Sequence, residues 1–455
     1  MKKPARSHLL AGASLWIGAL IAASPALAQA SPSNYTSATR YDPLGRVTGS
    51  IAPDPDNTGP LKFAAVRNTY DSAGNLVKVE QGELASWQPE TTAPASWSGF
   101  SIFSTAEFTY DALGRKLTER VKGSNLVTTA LTQFSYDLAG RLECTAVRMN
   151  PAAYGTLPAS ACTLGTAGTA GEDRITRSVY ASDDRVVQVR KAVGTAVEAA
   201  DTTYKYTLGG KVEEVIDANG NRSRYQYDAL DRLQRWYFPV SARYSGYDAS
   251  SQTTALATAG AHNPSDYEEY GYDANGNRTS LRKRDGSVFS YQYDALNRMT
   301  VKVVPERAGL AATHTRDVHY AYDLRGLMTK ARFDTLSGEG VTMSYNGFGR
   351  LNSSSLTMDG VSRTLLYAFD ANGNRGTLAY PDGAQVIYGY DGLNRPNIIL
   401  RSGTTTLAAY GYDAAGRRTA FNQGFTTSYG YDTAGRLTTL TNNLAASAYN
   451  NQYTF

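Results

Sequence analysis

Histidine and cysteine are almost missing from this chain. Four histidines and two cysteines serve 455 residues. Only His262, His314 and His319 lie beyond the amino-terminal stretch, which leaves little material for a metal centre or an imidazole relay. His314 and His319 are five apart, not at the helical spacing of a metal-binding pair. The G-x-S-x-G, H-E-x-x-H and phosphate-loop patterns are all absent. No catalytic, cofactor-binding or metal-binding residue is assigned, and the chain is expected not to be an enzyme.

Net charge and long apolar runs are also lacking. The formal charge is +4, but Lys2, Lys3 and Arg6 supply most of it. Without them the chain stands within about one charge of neutrality, so it has no cationic footprint for nucleic acid. The one long apolar run, Leu9 to Ala23, follows those cations and precedes Ala26-Leu27-Ala28. This is the pattern of a signal peptide over residues 1–28, cleaved after Ala28. The run is short for a membrane span. An exported chain, secreted or held at the cell surface or in the periplasm, is expected, with no stable membrane insertion after cleavage.

In an exported chain the two cysteines read as a disulfide. Cys144 and Cys162 would close a segment carrying Pro151 and Pro158.

What is abundant is tyrosine, 32 against 13 phenylalanines, and glycine, 42. Helical apolar periodicity is nearly absent after the leader. The tyrosines recur in a motif, Tyr-Asp-x-x-Gly-Arg. Good copies begin at Tyr41, Tyr70, Tyr110, Tyr136, Tyr227, Tyr272, Tyr293, Tyr322, Tyr390, Tyr412 and Tyr431. Near copies begin at Tyr345 and Phe369, and degenerate ones at Tyr180 and Tyr206. The shortest spacing, as from Tyr272 to Tyr293, is 21 residues. A period of this size marks a supersecondary unit rather than a domain.

Each part of the motif has a mechanical reading. In Tyr110-Asp111-Ala112-Leu113-Gly114-Arg115 the tyrosine ends an incoming strand and Asp111 starts an Asx-type turn. Gly114 takes a left-handed conformation in a bulged hairpin turn, and Arg115 opens the outgoing strand. Tyr293, Asp294, Asn297 and Arg298 repeat the scheme, with asparagine in the left-handed place. Tyr431, Asp432, Gly435 and Arg436 repeat it again. The arginine is expected to stack on tyrosine or pair with aspartate. Asp285-Gly286 and Asp382-Gly383 mark the return turns as two-residue hairpins. Asp217, Asn219 and Asn221 could suggest a calcium loop, but the distal glutamate is missing and a hairpin turn is expected. The fold class is all-β: tandem hairpins sharing one antiparallel sheet, held by cross-strand aromatic ladders in place of a central core.

A run of this many copies resembles the YD-repeat, or Rhs-repeat, family, which includes the shell regions of Rhs toxins, toxin-complex C subunits and teneurins. The resemblance covers Tyr41 to about Leu437. It implies a long spiralling sheet that closes into a hollow shell, which in the toxin members encloses a C-terminal toxin. The family's closing segment, Tyr-Tyr-Asp-Pro-x-x-Gly-Arg-Phe-x-Ser-x-Asp-Pro, is not found. Tyr41-Asp42-Pro43-Leu44-Gly45-Arg46 lacks the continuation, so no self-cleaving aspartate is carried over. The tail Asn451-Gln452-Tyr453-Thr454-Phe455 reads as a strand before a further turn. The chain is therefore expected either to be part of a longer shell or to meet a partner at its open edge.

The expected organisation is a signal peptide (1–28), a linker (29–40) and a repeat region (41–455), with loop insertions near 81–106, 148–173, 239–268 and 305–316. Loops carry function on many scaffolds. Trp87, Trp97 and Phe100 in the first insertion are a candidate aromatic ligand platform. The function expected first is a structural shell enclosing or presenting a polypeptide, such as a toxin absent from this chain. The alternative is an envelope carbohydrate-binding or adhesion module with a glycan or envelope polymer as partner.

Overall fold

The structure is a computed structural model that describes residues 36–56, 59–241, 245–433, 435–443 and 451–454. The proposed signal peptide and most of the linker lie outside the described residues.

Short alternating segments bounded by turns form strands, and here 31 strands join in one sheet. The first is Ala38–Tyr41 and the last Asn451–Thr454. Each strand pairs antiparallel with its neighbour in the chain, from the first pair to the last. The sheet is thus one continuous meander, and neither end strand pairs with a second strand among the described residues.

Every copy of the motif lies at the same kind of place. The tyrosine, or Phe369, closes an odd-numbered strand and the motif turns the chain into the next even-numbered one. All the motif turns therefore lie along one rim of the sheet, and all the return connections along the other. The register slips by one residue before each motif tyrosine, as between Gln292 and Tyr293, which is the expected bulge. Gly114 has φ +73°, and where glycine is missing the left-handed backbone persists, at +61° in Asn297 and +60° in Asp231. The Asp285-Gly286 and Asp382-Gly383 return turns differ from expectation, whereas Asp359-Gly360 has both residues left-handed. In the first two only the glycine has positive φ, and Gly286 N–H donates to the Lys283 carbonyl while Lys283 N–H reaches the Ser287 carbonyl. These two are the same bulged type I turn as the motif turns, because a primed two-residue turn needs both central residues left-handed.

The sheet coils back on itself. Gly392 N–H, in a motif turn, donates to the Pro55 carbonyl at 3.1 Å, and Ser124 N–H donates to the Thr433 carbonyl at 3.3 Å. Pro55 follows the second strand and Gly392 the twenty-fifth; Ser124 follows the sixth and Thr433 the twenty-ninth. Both contacts give the same step of 23 strands. The motif rim of the second coil rests on the return rim of the first.

No single core runs through the molecule. Buried apolar residues form small clusters beneath the insertions. Ile51, Ala65, Leu84 and Trp97 form one, and Cys144, Ala146, Ala161, Ile175 and Val193 another. The strands extend further into two insertions than the sequence suggested. Leu76–Leu84 and Phe100–Tyr110 leave only 85–99 outside the sheet, and Leu233–Pro239 and His262–Tyr272 leave 240–261. The third insertion holds the helix Gln252–Thr258, capped by the Ser251 hydroxyl, which accepts from Thr254 N–H.

Candidate functional site

The motif rim is the most regular chemical feature of the molecule. Within one turn, Asp111 Oδ1 accepts from Leu113 N–H and Arg115 N–H, both at 2.9 Å. Its Oδ2 accepts from Arg115 Nε at 2.7 Å. Arg298 meets Asp294 at 2.7 Å and Arg436 meets Asp432 at 2.8 Å in the same way. The Arg115 backbone N–H, with help from its guanidinium, holds the Asp111 carboxyl below the usual carboxylate range. Asp294 is held low by the same two groups of Arg298.

Two further bonds tie each turn to its neighbours. The arginine lies over the aromatic ring that opens the next copy: Arg115 over Tyr136 at 4.7 Å, Arg298 over Tyr322 at 4.8 Å and Arg417 over Tyr431 at 4.7 Å. It often also donates to the next turn's backbone, as Arg298 does to the Asp323 carbonyl at 3.2 Å. In return, every motif tyrosine from Tyr70 onward donates its hydroxyl to the first strand carbonyl after the preceding motif arginine or its equivalent. Tyr110 reaches Leu76 O, Tyr293 reaches Arg278 O and Tyr431 reaches Arg418 O, each at 2.8 Å. Burial pushes the phenols of Tyr110 and Tyr293 up. Cross-strand aromatic pairs do occur, as Tyr225 with Trp236, Tyr237 with Tyr267 and Tyr410 with Phe421, but along the motif rim the link is this alternation of arginine, tyrosine and carbonyl. Successive motif tyrosines stand two strands apart, about 10 Å, too far for ring-to-ring contact.

The insertions pack on the opposite face. Arg40 and Arg67, at odd offsets before their motif tyrosines, donate to Gln88 O and Pro94 O of the first insertion. Gln133 Nε2 donates to Pro158 O of the second, and Gln188 Nε2 to Ala249 O of the third. Strand alternation puts these residues and the motif tyrosines on different sides. Three insertions therefore cover one face and leave the tyrosine face free of them.

Trp87, Trp97 and Phe100 do not stand out as a platform. Trp97 is only 6% exposed within its cluster, where it and Pro94 fill the space a side chain at Gly49 would take. Phe100 packs edge-on to Trp97 at 6.0 Å and Trp87 edge-on to Phe63 at 5.7 Å. The three aromatics fasten the insertion to the sheet. Beside them a groove of about 720 Å³ is lined by Arg40, Arg46, Arg67, Lys78, Glu80 and Glu90. Most of its charges pair internally, Arg46 with Asp42, and Arg67 and Lys78 with Glu80.

Cys144 and Cys162 are joined, which pins the second insertion to the sheet. Inside it, Arg148 and Asp173 form a buried pair at 2.6 Å. Arg148 also donates to Gln133 Oε1 and Thr163 O, and Asp173 accepts from Met149 N–H and Gly165 N–H. Burial pushes the Asp173 carboxyl up, but these donors outweigh it and hold it low. His262 packs on Tyr237 at 5.3 Å, and burial lowers its pKa. Among the described residues, no group of three or more potential ligands is placed to hold a metal ion. Asp217 Oδ1 accepts from Asn219 N–H and Asn221 N–H, so that segment is a return turn. No helix among the described residues is long and apolar enough to cross a membrane.

One feature of the rim escaped the motif reading. In two of the three copies where asparagine replaces the arginine, the next copy carries asparagine in the left-handed place: Asn277 Nδ2 donates to Asn297 Oδ1, and Asn374 Nδ2 to Asn394 Oδ1, both at 2.8 Å, whereas Asn75 faces Gly114. The signal was present as paired substitutions in successive copies.

A rim of repeated turns on one coiled meander defines a class of protein by itself. Residues 272–307, the unit opening at the Tyr272 turn, match the family described as RHS Repeat. The crystal structure of TcdB2–TccC3–Cdc42 is similar with a TM-score of 0.61 at 14% identity, covering 89% of this chain and 20% of that chain. The Tc holotoxin pore of Photorhabdus luminescens gives 0.51 at 12%, covering 92% and 22%. TcdB2–TccC3 without its hypervariable C-terminal region gives 0.51 at 14%, covering 89% and 20%. At such identities the likeness is one of fold, and the chain spans about a fifth of the solved chains it matches. No curated protein matches it in sequence. The chain thus carries a match to the RHS Repeat family over residues 272–307, and its sheet has the fold of those solved chains.

Proposed function

We propose that this chain is a wall element of an exported shell that encloses a polypeptide, and that it catalyses no reaction itself. The observation that carries the reading is the step of 23 strands per coil. At about 4.8 Å between strands, such a coil has a circumference of roughly 110 Å and a diameter near 35 Å. A barrel of about 8 strands is filled by its own side chains, whereas 16–18 strands already leave a channel. After the sheet's own thickness, a lumen of roughly 25 Å remains, enough for an unfolded or partly folded chain. In support of the reading, one solved relative of this fold, TcdB2–TccC3–Cdc42, includes a third polypeptide. Export rests on the leader over residues 1–28.

The test joins a small passenger domain to the carboxyl end of the chain and exposes the fusion to protease. Enclosure is expected to protect the passenger until the wall is unfolded by acid or denaturant. A passenger digested at the rate of the free domain would overturn the reading. Terminal sequencing of the exported product is expected to begin at Gln29.

A further inference from the structure

The motif rim of the first coil carries a row of exposed large apolar side chains. Leu113, Leu138, Leu208, Leu230, Leu296 and Leu324 occupy the two middle places of their turns, and each is more than 60% exposed. Single exposed leucines are ordinary on protein surfaces. These recur at the tips of successive motif turns along one edge, and a periodic apolar row marks an interaction surface. Their role in the turn does not require them, since Ser72 and Ala73 fill both middle places of one turn and Ala274 and Asn275 those of another.

The molecule shows what such a rim rests on. In the second coil, the turn opening at Tyr390 bonds through Gly392 to the Pro55 carbonyl of the return rim, and its Leu393 is half-buried. The turn opening at Tyr431 meets the return rim again at Ser124. The two rims are thus complementary surfaces of one chain, and the first coil's motif rim has no such partner among the described residues.

We propose that this rim docks on the return rim of a second copy of the chain, so that shells stack coil on coil. The contact is head-to-tail, because the two surfaces differ, and it leaves a matching rim free on each outer face. Repetition then gives dimers and longer stacks as concentration rises. The proposal rests on the coiling alone and holds whether or not anything is enclosed.

The test measures mass in solution by light scattering across a hundredfold concentration range. The wild-type chain is compared with the triple variant Leu138→Asp, Leu208→Asp, Leu324→Asp. Those side chains are fully exposed, so circular dichroism is expected to be unchanged. Wild-type mass is expected to rise with concentration, and the variant to stay monomeric. A monomeric wild type throughout, or a triple variant that associates as well as wild type, would overturn the proposal. Should the triple variant unfold, Leu208→Asp alone is expected to weaken association at least threefold with the fold intact. An intact single variant that associates like wild type overturns it equally.

Discussion

At the scale of single residues, the motif is a set of bonds that each reach a different place. Aspartate closes its own turn, arginine reaches forward to the next ring, and tyrosine reaches back to the previous copy. Phe369 is a natural omission, since its ring keeps Arg350 at 5.7 Å but offers no hydroxyl. Phe369→Tyr is expected to stabilise the chain by about 0.5–1.5 kcal/mol, and Tyr293→Phe to cost a similar amount, both by denaturant unfolding. Equal stability in all three proteins would contradict this role for the hydroxyl.

The turn aspartates also set the response to acid. Asp111 and Asp294 are held below their ordinary value of 3.8 when folded. The stability they supply is complete above that unfolded value and is lost as pH falls through the folded one. The tyrosines mirror this, since Tyr110 and Tyr293 are raised above 10.0 and their contribution is lost as pH rises through the folded value. Melting followed by circular dichroism is expected to be level between about pH 5 and 9 and to fall on either side. A melting temperature unchanged down to pH 2 would show that the turn aspartates contribute nothing.

Much at this scale was legible, because a turn is a local object. The left-handed places at Asn297 and Asp231 follow from residue type alone. The tyrosine-to-carbonyl bond did not, because it joins atoms far apart in sequence, as Tyr110 and Leu76 are. The asparagine pairs were visible only by comparing one copy with the next.

At the scale of elements, rim and insertion are stabilised differently. An exposed pair such as Arg436 with Asp432 contributes about 0–1 kcal/mol. The buried Arg148 and Asp173 are another matter, since removing one leaves the other charged and buried. Arg148→Ala is expected to cost about 3–5 kcal/mol, against less than about 1 for Arg436→Ala. Unfolding in guanidinium chloride distinguishes the two, and equal effects would contradict the burial argument. Replacing both cysteines with alanine is expected to cost about 3 kcal/mol, with hydrogen exchange rising first in 149–173. The sequence marked the insertions by lost periodicity but placed their edges several residues too wide around 85–99. Strands such as Phe100–Tyr110 run past the motif register into segments whose alternation is weak. Trp97 was misread for a related reason: aromatic residues in an irregular segment resemble a binding surface until Gly49 is seen to leave room beneath them.

At the scale of the whole molecule, 31 strands in chain order could lie flat, twist or coil. Local sequence patterns leave that open, since coiling depends on contacts between Pro55 and Gly392 and between Ser124 and Thr433. Both pairs join opposite rims and agree on 23 strands per coil. Repeat arrays sum many neighbour contacts, and here the coil adds contacts between distant copies. The proposed enclosure and the proposed stacking both depend on that coil. The most direct measurement is the distance between spin labels on Ala52→Cys and Ala371→Cys, compared with the pair Ala52→Cys and Ala229→Cys. The first pair sits near opposite rims 21 strands apart, two short of a full coil, and the second near opposite rims 11 strands apart, about half a coil. A coiled sheet is expected to hold the first pair closer than the second, although it is twice as far along the chain. A distance that grows steadily with sequence separation would mean an uncoiled sheet and would contradict the account.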